Sequence, residues 1–485
     1  MPADDSHGAA THHATGIHQL PLEVIREIFV HCLTCDRAPN NKLAPLLLCH
    51  VCSMWRNLAL STPQLWSELS MLCLQGDVAK AMRTFTNATE LWFRCVGRHC
   101  PFSYTVRLPR GATAHAPGKS LLFPLPPSIY KLDLTMEDDS QLTEYAYLQT
   151  EAPAFLVTAK IAILHESPLS LAMRDFPFDS APRLRNLMLD VAGDGLPIRV
   201  TPAPWKLLTQ LILGRDIQLK AWHKIIRQCP LLKLCSVELD VPFLLVPPTN
   251  LPVMTFNHLE DLTLLFSSGA FLDAAVAGLS FPALTSLHLS CEDDVAFDLT
   301  SESTLRIFRD AQLTYLTLRQ GQTESDDLYN VLEITNTLTS LDITCDSFFL
   351  DLFCALRHDA DDNPVLLPQL EHLTLGIFHY GYDFEEDQEA DEAWYFGGDL
   401  LLDLVKSRWW PGGKTAIHPT GPVITRLRKL SLVMDSQYPK TQAEVANSLL
   451  PLKEAGLSVD VQAGLREEWS NSYHMQLQWH AYMDD

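Results

Sequence analysis

The sequence predicts an α/β protein in which a small all-helical segment at the N-terminus precedes a long series of strand-and-helix repeats. Two observations predict this class: apolar residues follow helical spacing between Leu20 and Leu72, and leucine triplets recur at nearly constant intervals in the rest of the chain. Hydrophobic residues make up 47% of the 485 residues and charged residues 20%. These are the proportions of a folded globular chain, which excludes wholesale disorder.

The N-terminal segment is predicted to contain two helices. Pro21 suits the first turn of the first helix, because the N–H that proline lacks would have no partner there. The apolar residues of this helix are Val24, Ile25, Ile28 and Phe29. The second helix is predicted to start near Leu43 and to end before Pro63, with an apolar face formed by Leu47, Val51, Met54, Trp55 and Leu58.

Leucine triplets of the form L-x-x-L-x-L recur along the rest of the chain. Seven consecutive triplets, separated by 24, 26, 25, 25, 29 and 25 residues, start at Leu184, Leu208, Leu234, Leu259, Leu284, Leu313 and Leu338. Further triplets start at Ile129, Leu370 and Leu427, and degenerate ones at Ala88, Thr158 and Glu454. Intervals of this length are typical of leucine-rich repeats, so we predict an irregular leucine-rich-repeat solenoid with a parallel sheet on its concave face.

The intervals between the triplets contain apolar stripes with helical spacing. They predict helices over residues 216–228, 325–334, 348–357 and 398–407. One repeat cannot bury its apolar face alone, whereas stacked repeats join their leucines into one core and their strands into one parallel sheet.

The predicted organisation has four parts. A disordered tail (1–16) precedes the helical segment (17–72), the repeats (73–461) and a C-terminal tail (462–485). Two insertions, near 107–127 and 377–397, interrupt the period. The second contains seven acidic residues between Asp383 and Glu392, which we interpret as a solvated, mobile loop.

The charge balance and the distribution of the cysteines bear on which partners and which cellular compartment we expect. The chain has 36 basic and 59 acidic residues, a net charge of −23, which disfavours binding to nucleic acid or to anionic membranes. No apolar run is long enough to span a bilayer, and the first 18 residues do not resemble a signal peptide. The twelve cysteines are scattered, so we expect reduced thiols and a cytoplasmic or nuclear location.

The segment from 18 to 70 resembles the F-box, in the form found in fungal F-box proteins with C-terminal leucine-rich repeats. The resemblance is carried by three motifs: Leu20-Pro21-x-Glu23-Val24-Ile25-x-x-Ile28-Phe29, Leu48-x-x-Val51-Cys52-x-x-Trp55-Arg56-x-Leu58-Ala59 and Thr62-Pro63-x-Leu65-Trp66. Ser53 departs from the family's pattern, which often has lysine or arginine at this position.

The resemblance implies a compact helical module that docks onto the Skp adaptor, and through it onto the cullin, of an SCF-type E3 ubiquitin ligase. The repeats would then hold the target protein as the substrate-recognition part of the ligase. The expected adaptor contacts are Leu20, Pro21, Ile25, Ile28, Phe29, Val51, Trp55, Leu58 and Trp66. Some of these residues must also form the module's own core, and the sequence does not divide the two roles.

The residues themselves favour a docking role for this segment. A segment of this size cannot bury all its large apolar side chains, and an uncovered apolar patch marks a protein–protein contact. The alternative is that the segment only caps the N-terminal end of the repeat stack.

The surface predicted to bind the target is the concave face of the sheet. Residues that flank the second and third leucines of each triplet point away from the core, because side chains alternate along a strand. The candidates are Glu238, Asp240, Asp261, His288, Tyr315, Arg319, Asp342 and His372. Tyr315 and Arg319 come first, since aromatic and arginine side chains dominate binding energy. The acidic balance of the chain predicts a target with a basic patch.

Two other interpretations remain open. Cys32-x-x-Cys35 and Cys49-x-x-Cys52 have nearly the spacing of a structural zinc site, which would define a zinc-stabilised regulatory protein. Against this, Cys49 and Cys52 lie in an apolar helical pattern, where cysteine behaves as a small hydrophobic residue. The other is a repeat scaffold that no longer engages a ligase. No catalytic motif is complete, so we predict a non-catalytic protein that needs no metal or cofactor.

Overall fold

The structure is a computed structural model of the 485-residue chain. It describes residues 19–34, 38–72, 78–107, 126–136, 153–163, 181–191, 205–240, 252–268, 272–291, 297–319, 325–345, 349–357, 366–378, 398–409, 424–437 and 439–464. The predicted tail 1–16, most of both insertions with the acidic run 383–392, and nearly all of the predicted tail 462–485 lie outside these residues.

The chain divides into two compact units. The first unit comprises residues 1–159 and 180–183, and the second comprises residues 160–179 and 184–485.

The first unit contains four described helices and a parallel sheet. The helices are α1 (Leu22–His31), α2 (Leu46–Val51), α3 (Ser53–Leu60) and α4 (Val78–Val96), with a short 3-10 helix at Pro63–Trp66. The strands are β1 (Glu68–Leu72), β2 (Phe102–Arg107) and β3 (Ile129–Met136), paired in that order. Strand β4 (Thr158–Ile163) spans the division between the units.

Two expectations for the first unit were wrong. The single helix expected between Leu43 and Ser61 is two helices, because Cys52 has an extended backbone (φ −157°, ψ 172°) that no α-helix accommodates. The Cys52 Sγ atom instead accepts a hydrogen bond from the Trp55 N–H at 3.5 Å and caps α3. The degenerate triplet at Ala88 lies in α4 and not in a strand, since apolar residues at i and i+3 also suit a helix.

Neighbouring strands of the second unit pair in parallel throughout its described residues from β5 to β16. The main sheet has the order β5-β6-β7-β9-β11-β12-β13-β14-β15-β16, and β8 pairs with β10 separately. The strands are β5 (Asn186–Val191), β6 (Gln210–Gln218), β7 (Leu234–Asp240), β8 (Met254–Thr255), β9 (Asp261–Ser268), β10 (Leu279–Ser280), β11 (Ser286–Cys291), β12 (Tyr315–Arg319), β13 (Ser340–Cys345), β14 (His372–Ile377), β15 (Lys429–Asp435) and β16 (Ser458–Gly464).

Helices separate most of these strands along the chain. They are α5 (Leu219–Ile226), α6 (Leu272–Val276), α7 (Glu302–Asp310), α8 (Ser325–Ile334), α9 (Phe349–Leu356), α10 (Gly398–Arg408) and α11 (Pro439–Glu454). The four helices predicted from apolar stripes are confirmed as α5, α8, α9 and α10. Each of the seven evenly spaced triplets coincides with a strand of the main sheet, which confirms the predicted α/β class with a large parallel sheet.

The core of the second unit consists of leucines aligned across the sheet. One row joins six neighbouring strands in register and is almost completely buried: Leu262, Leu287, Leu316, Leu341, Leu373 and Leu430. Burial of one such side chain contributes about 1.5–3 kcal/mol, so the triplet pattern accounts for the stacking of the strands.

Arg408, at the end of α10, is a fully buried cation in the second unit. Its guanidinium donates hydrogen bonds to the carbonyl oxygens of Leu356, Leu366 and Leu367. Burial lowers the pKa of Arg408 to about 10, so the group is still charged at neutral pH. The side chain therefore ties the end of α9 to the segment that leads into β14.

Candidate functional site

The N-terminal helices have a small core of their own. Ile25 and Phe29 of α1 are buried, as are Leu58 of α3 and Trp66 of the 3-10 helix. The Trp66 indole N–H donates to the Ala59 carbonyl at 2.8 Å. The Phe29 and Trp55 rings lie 4.8 Å apart between centroids, which joins α1 to α3. These contacts hold the helices in place and determine which side chains remain outside.

Six exposed apolar side chains lie on α1 and α2 or just before α1, and this set is here called the docking surface. Its side chains are 36% to 54% exposed; they are Leu20, Leu22, Val24, Ile28, Leu47 and Val51. These are six of the thirteen large apolar side chains that are exposed among the described residues, although they come from one short part of the chain. Exposed apolar side chains concentrated in one short part of the chain make this region a candidate interaction surface.

The structure divides the nine residues expected to contact an adaptor. Leu20, Pro21, Ile28 and Val51 are exposed, and Trp55 is half-buried. The buried residues Ile25, Phe29, Leu58 and Trp66 instead form the core beneath them.

Three members of the docking surface were not among the nine expected adaptor contacts: Leu22, Val24 and Leu47. The helical period contained the signal for Val24, because it precedes Ile28 by one turn and lies away from the buried Ile25 and Phe29.

The cysteines near this surface do not gather into a metal site in the described residues. Cys49 is buried, and burial raises the pKa of its thiol, which disfavours the thiolate that binds zinc. Cys52 caps α3, and Cys35 lies outside the described residues. No cluster of three or more histidine, cysteine or acidic side chains that could hold a metal occurs in the part of the chain that is described.

The eight residues predicted to bind a target belong to neighbouring strands of the second unit. Asp261, Tyr315 and His372 align in one register row through Ser286 and Ser340. His288 and Asp342 belong to the row two residues further along the strands, on the same face, and are joined through Thr317. The structure brings the predicted residues onto one sheet but gives them unequal access: Glu238, Arg319 and Asp342 are buried, Asp240, Asp261, His288 and Tyr315 are half-buried, and His372 is exposed.

The sequence places Arg319 among the first candidates for target contact, but the structure shows its side chain buried and paired with Asp342. Its Nη2 atom lies 2.6 Å from Oδ2 of Asp342, and the two side chains are only 2% and 5% exposed. Burial raises the pKa of Asp342, while the Arg319 charge opposes that rise. Removing either partner of so deeply buried an ion pair would leave an uncompensated charge inside the protein, so its first role is structural.

A second cluster of polar side chains lies on the neighbouring strands β9, β11 and β12. Burial raises the pKa of Asp261 to about 6, opposed by a hydrogen bond from Ser286. The Ser286 Oγ atom lies 2.9 Å from His288 Nε2. Burial, and then the Arg319 charge, lower the pKa of His288 to about 4, so the imidazole is neutral at pH 7. The His288 and Tyr315 rings lie 5.0 Å apart.

These two pKa shifts predict opposite pH dependences of stability. Between about pH 4 and 6, folded Asp261 binds more protons than unfolded Asp261, so its contribution to stability falls as pH rises. Folded His288 binds fewer protons than unfolded His288 over about pH 4–6.5, so its contribution rises with pH. We therefore expect Asp261→Asn to steepen the rise of unfolding free energy between pH 4 and 6, and His288→Gln to flatten it.

The measurement is urea unfolding of the full chain across this pH range. An exposed carboxylate of the same unit, changed as Asp460→Asn, provides the control for the loss of one surface charge. Equal slopes in wild type, Asp261→Asn and His288→Gln would contradict the assignment.

In comparisons with known proteins, no family model and no curated protein matches the chain. Within the described residues, none of the helices combines the length and apolar character needed to cross a bilayer.

Proposed function

We propose that this chain is the substrate-recognition subunit of an SCF-type E3 ubiquitin ligase. In this proposal the docking surface binds the Skp adaptor, and through it the cullin, while a leucine-rich-repeat solenoid presents the target. The chain would be non-catalytic and would act by bringing the target close to the enzymes that transfer ubiquitin. The ligase role, the adaptor and the cullin are proposed because residues 18–70 resemble the F-box.

The observation that carries the proposal is the docking surface itself. The buried side chains Ile25, Phe29, Leu58 and Trp66 pack α1 and α3 together. Leu48 of α2 is also buried, so the exposed side chains of α1 and α2 project from helices that are packed in place. Full burial of such a side chain from water contributes about 1.5–3 kcal/mol, and because these side chains are 36% to 54% exposed, a partner that covers one gains roughly half of that. A partner subunit that covers several of them gains that free energy on binding.

The parallel sheet of the second unit supports the second half of the proposal. Tyr315 and His288 form a half-buried aromatic pair, and His372 is exposed in the same row as Tyr315. We assign target contact to these accessible side chains, with the Arg319–Asp342 ion pair as the rigid support behind them. The target is expected to carry a basic patch, because the half-buried Asp240 and Asp261 lie on strands of the same sheet as these side chains.

The proposal is tested by co-expression of the full chain with the Skp adaptor. We expect Ile28→Asp and Val51→Asp each to weaken adaptor binding about tenfold or more, because a carboxylate would be desolvated within an apolar contact. Both side chains are exposed, so these changes should leave the unfolding midpoint nearly unchanged. Affinity measured by surface plasmon resonance, with circular dichroism on the same samples, separates loss of contact from loss of fold.

Leu231 and Val253 offer matched controls. They are exposed apolar side chains of the second unit, so Leu231→Asp and Val253→Asp should bind the adaptor as the wild type does. A wild-type chain that does not bind the adaptor, or docking-surface variants that bind it fully, would overturn the proposal. The first of these results would favour a repeat scaffold without a ligase role.

A further inference from the structure

The first unit has a second exposed surface, at the ends where the chain leads into its strands. Four segments meet there: 97–101 before β2, 126–131 at the start of β3, 153–157 before β4, and 181–183. We call this surface the lead-in rim.

Backbone and side-chain contacts join these segments into one continuous surface. Ser128 donates from Oγ to the Gly97 carbonyl at 3.1 Å, and Phe102 N–H donates to the Ser128 carbonyl at 3.1 Å. Val157 N–H donates to the Tyr130 carbonyl at 2.9 Å. The Arg183 guanidinium lies 4.9 Å from the centre of the Phe155 ring. These hydrogen bonds and the contact between Arg183 and Phe155 connect the four segments to one another.

The rim is both basic and aromatic. Tyr130 and Phe155 are 47% and 44% exposed, and Arg98, His99 and Arg183 are also exposed. No aspartate or glutamate occurs in the four segments, although the chain as a whole carries a net charge of −23. This departure from the general charge balance concentrates positive potential beside two uncovered aromatic rings.

The chemistry of the rim matches that of binding hot spots. Exposed aromatic and arginine side chains supply most of the free energy at protein interfaces. The contact between Arg183 and Phe155 holds both side chains in one arrangement, which lowers the entropy lost when a partner binds. Carboxylates of a partner would pair with Arg98 and Arg183, and its apolar side chains would cover Tyr130 and Phe155.

We propose that the lead-in rim binds a short acidic segment of a partner protein that also carries apolar side chains. A nucleic acid fits less well, since a long polyanion would extend from the rim onto the acidic remainder of the chain. The rim is a different surface from the docking surface, and it does not depend on the ligase role proposed above.

The test uses the full chain and a fluorescein-labelled decapeptide that is rich in glutamate and has one central tryptophan. We expect fluorescence anisotropy to show saturable binding that weakens with added salt. The double variant Arg98→Glu/Arg183→Glu should bind about tenfold more weakly or worse, which corresponds to a loss of 1.4 kcal/mol or more. Phe155→Ala should also weaken binding, while a peptide with glutamine in place of glutamate should not bind.

Matched controls come from the second unit. Lys440→Glu reverses an exposed cation and Val253→Ala trims an exposed apolar side chain, and both should bind the peptide as the wild type does. Equal losses in controls and rim variants, or no binding by the wild type, would overturn the proposal. A thymidine oligonucleotide of matched charge that binds as tightly would overturn it in favour of a general polyanion surface. Adaptor binding, measured on the same proteins, distinguishes this failure from failure of the proposed ligase role.

Discussion

Replacement of Arg408 by methionine is expected to lower the free energy of unfolding of the second unit by about 2 kcal/mol or more, because each buried group left without its hydrogen bond costs about 1–3 kcal/mol. Arg408 donates to three carbonyl oxygens, those of Leu356, Leu366 and Leu367. The Leu367 oxygen also accepts from the Leu370 N–H at 3.2 Å, so the change removes the hydrogen bond described for the other two. Methionine fills much of the same space but donates no hydrogen bond. Guanidinium chloride unfolding followed by circular dichroism measures the change.

Arg428 is the matched control for this prediction. It belongs to the same unit, its side chain is 67% exposed, and it pairs with Glu371 at 3.2 Å. Because exposed ion pairs contribute about 0–1 kcal/mol, Arg428→Met should change the unfolding midpoint little. Similar losses in the two variants would show that the carbonyl contacts of Arg408 do not carry the effect.

Replacement of Trp66 by alanine is expected to destabilise the N-terminal helices by about 3–5 kcal/mol, the usual cost of removing a large buried aromatic side chain. Trp66 is fully buried, its indole N–H bonds to Ala59, and its ring contacts Trp92 of α4 at 4.8 Å between centroids. The change would leave a cavity and remove one of the hydrogen bonds that the Ala59 carbonyl accepts; the Thr62 N–H still donates to it at 3.1 Å. Hydrogen exchange of the amides in α1 and α3 reports the local loss of stability.

Val51→Ala is the control in the same region. Val51 is 54% exposed, so its truncation should leave the exchange of these amides nearly unchanged. If Trp66→Ala left the exchange rates of α1 and α3 as they are in the wild type, the buried core described here would not be what holds the docking surface.

The elements that the sequence predicted well are those whose pattern depends on neighbours along the chain. The stripe over 325–334 predicts α8 with the bounds that the structure has, because burial of one helical face imposes its own period. The evenly spaced triplets located the strands for the same reason. The break at Cys52 followed no such pattern, since one extended residue separates two segments that each keep a helical period.

The buried cations could not be predicted in this way. Arginine is almost always exposed unless it is paired, and nothing near Arg408 in the sequence indicates the carbonyls it meets about 40 to 50 residues earlier. Alternation along β12 places Arg319 on the face opposite to Leu316 and Leu318. Its burial depends on Asp342 and on the neighbouring strands, which lie far away in the sequence.

The docking surface lies between these two cases. The composition of residues 18–70 indicated that some apolar side chains must stay uncovered, but the division between core and surface depends on how α1, α2 and α3 pack. Ile25 and Ile28 are chemically alike and one turn apart, yet only Ile25 faces the core. Packing, and not residue type, therefore decides which of them is available to a partner.

The contact between Trp66 and Trp92 bears on how the protein can be dissected. Trp92 also donates from its indole N–H to the Glu68 carbonyl at 3.0 Å, so α4 shields the end of the helical segment. An excised fragment that stops at residue 72 would leave the Trp66 ring without this cover. A minimal fragment intended for crystallisation or for grafting onto another carrier should therefore extend at least through Val96.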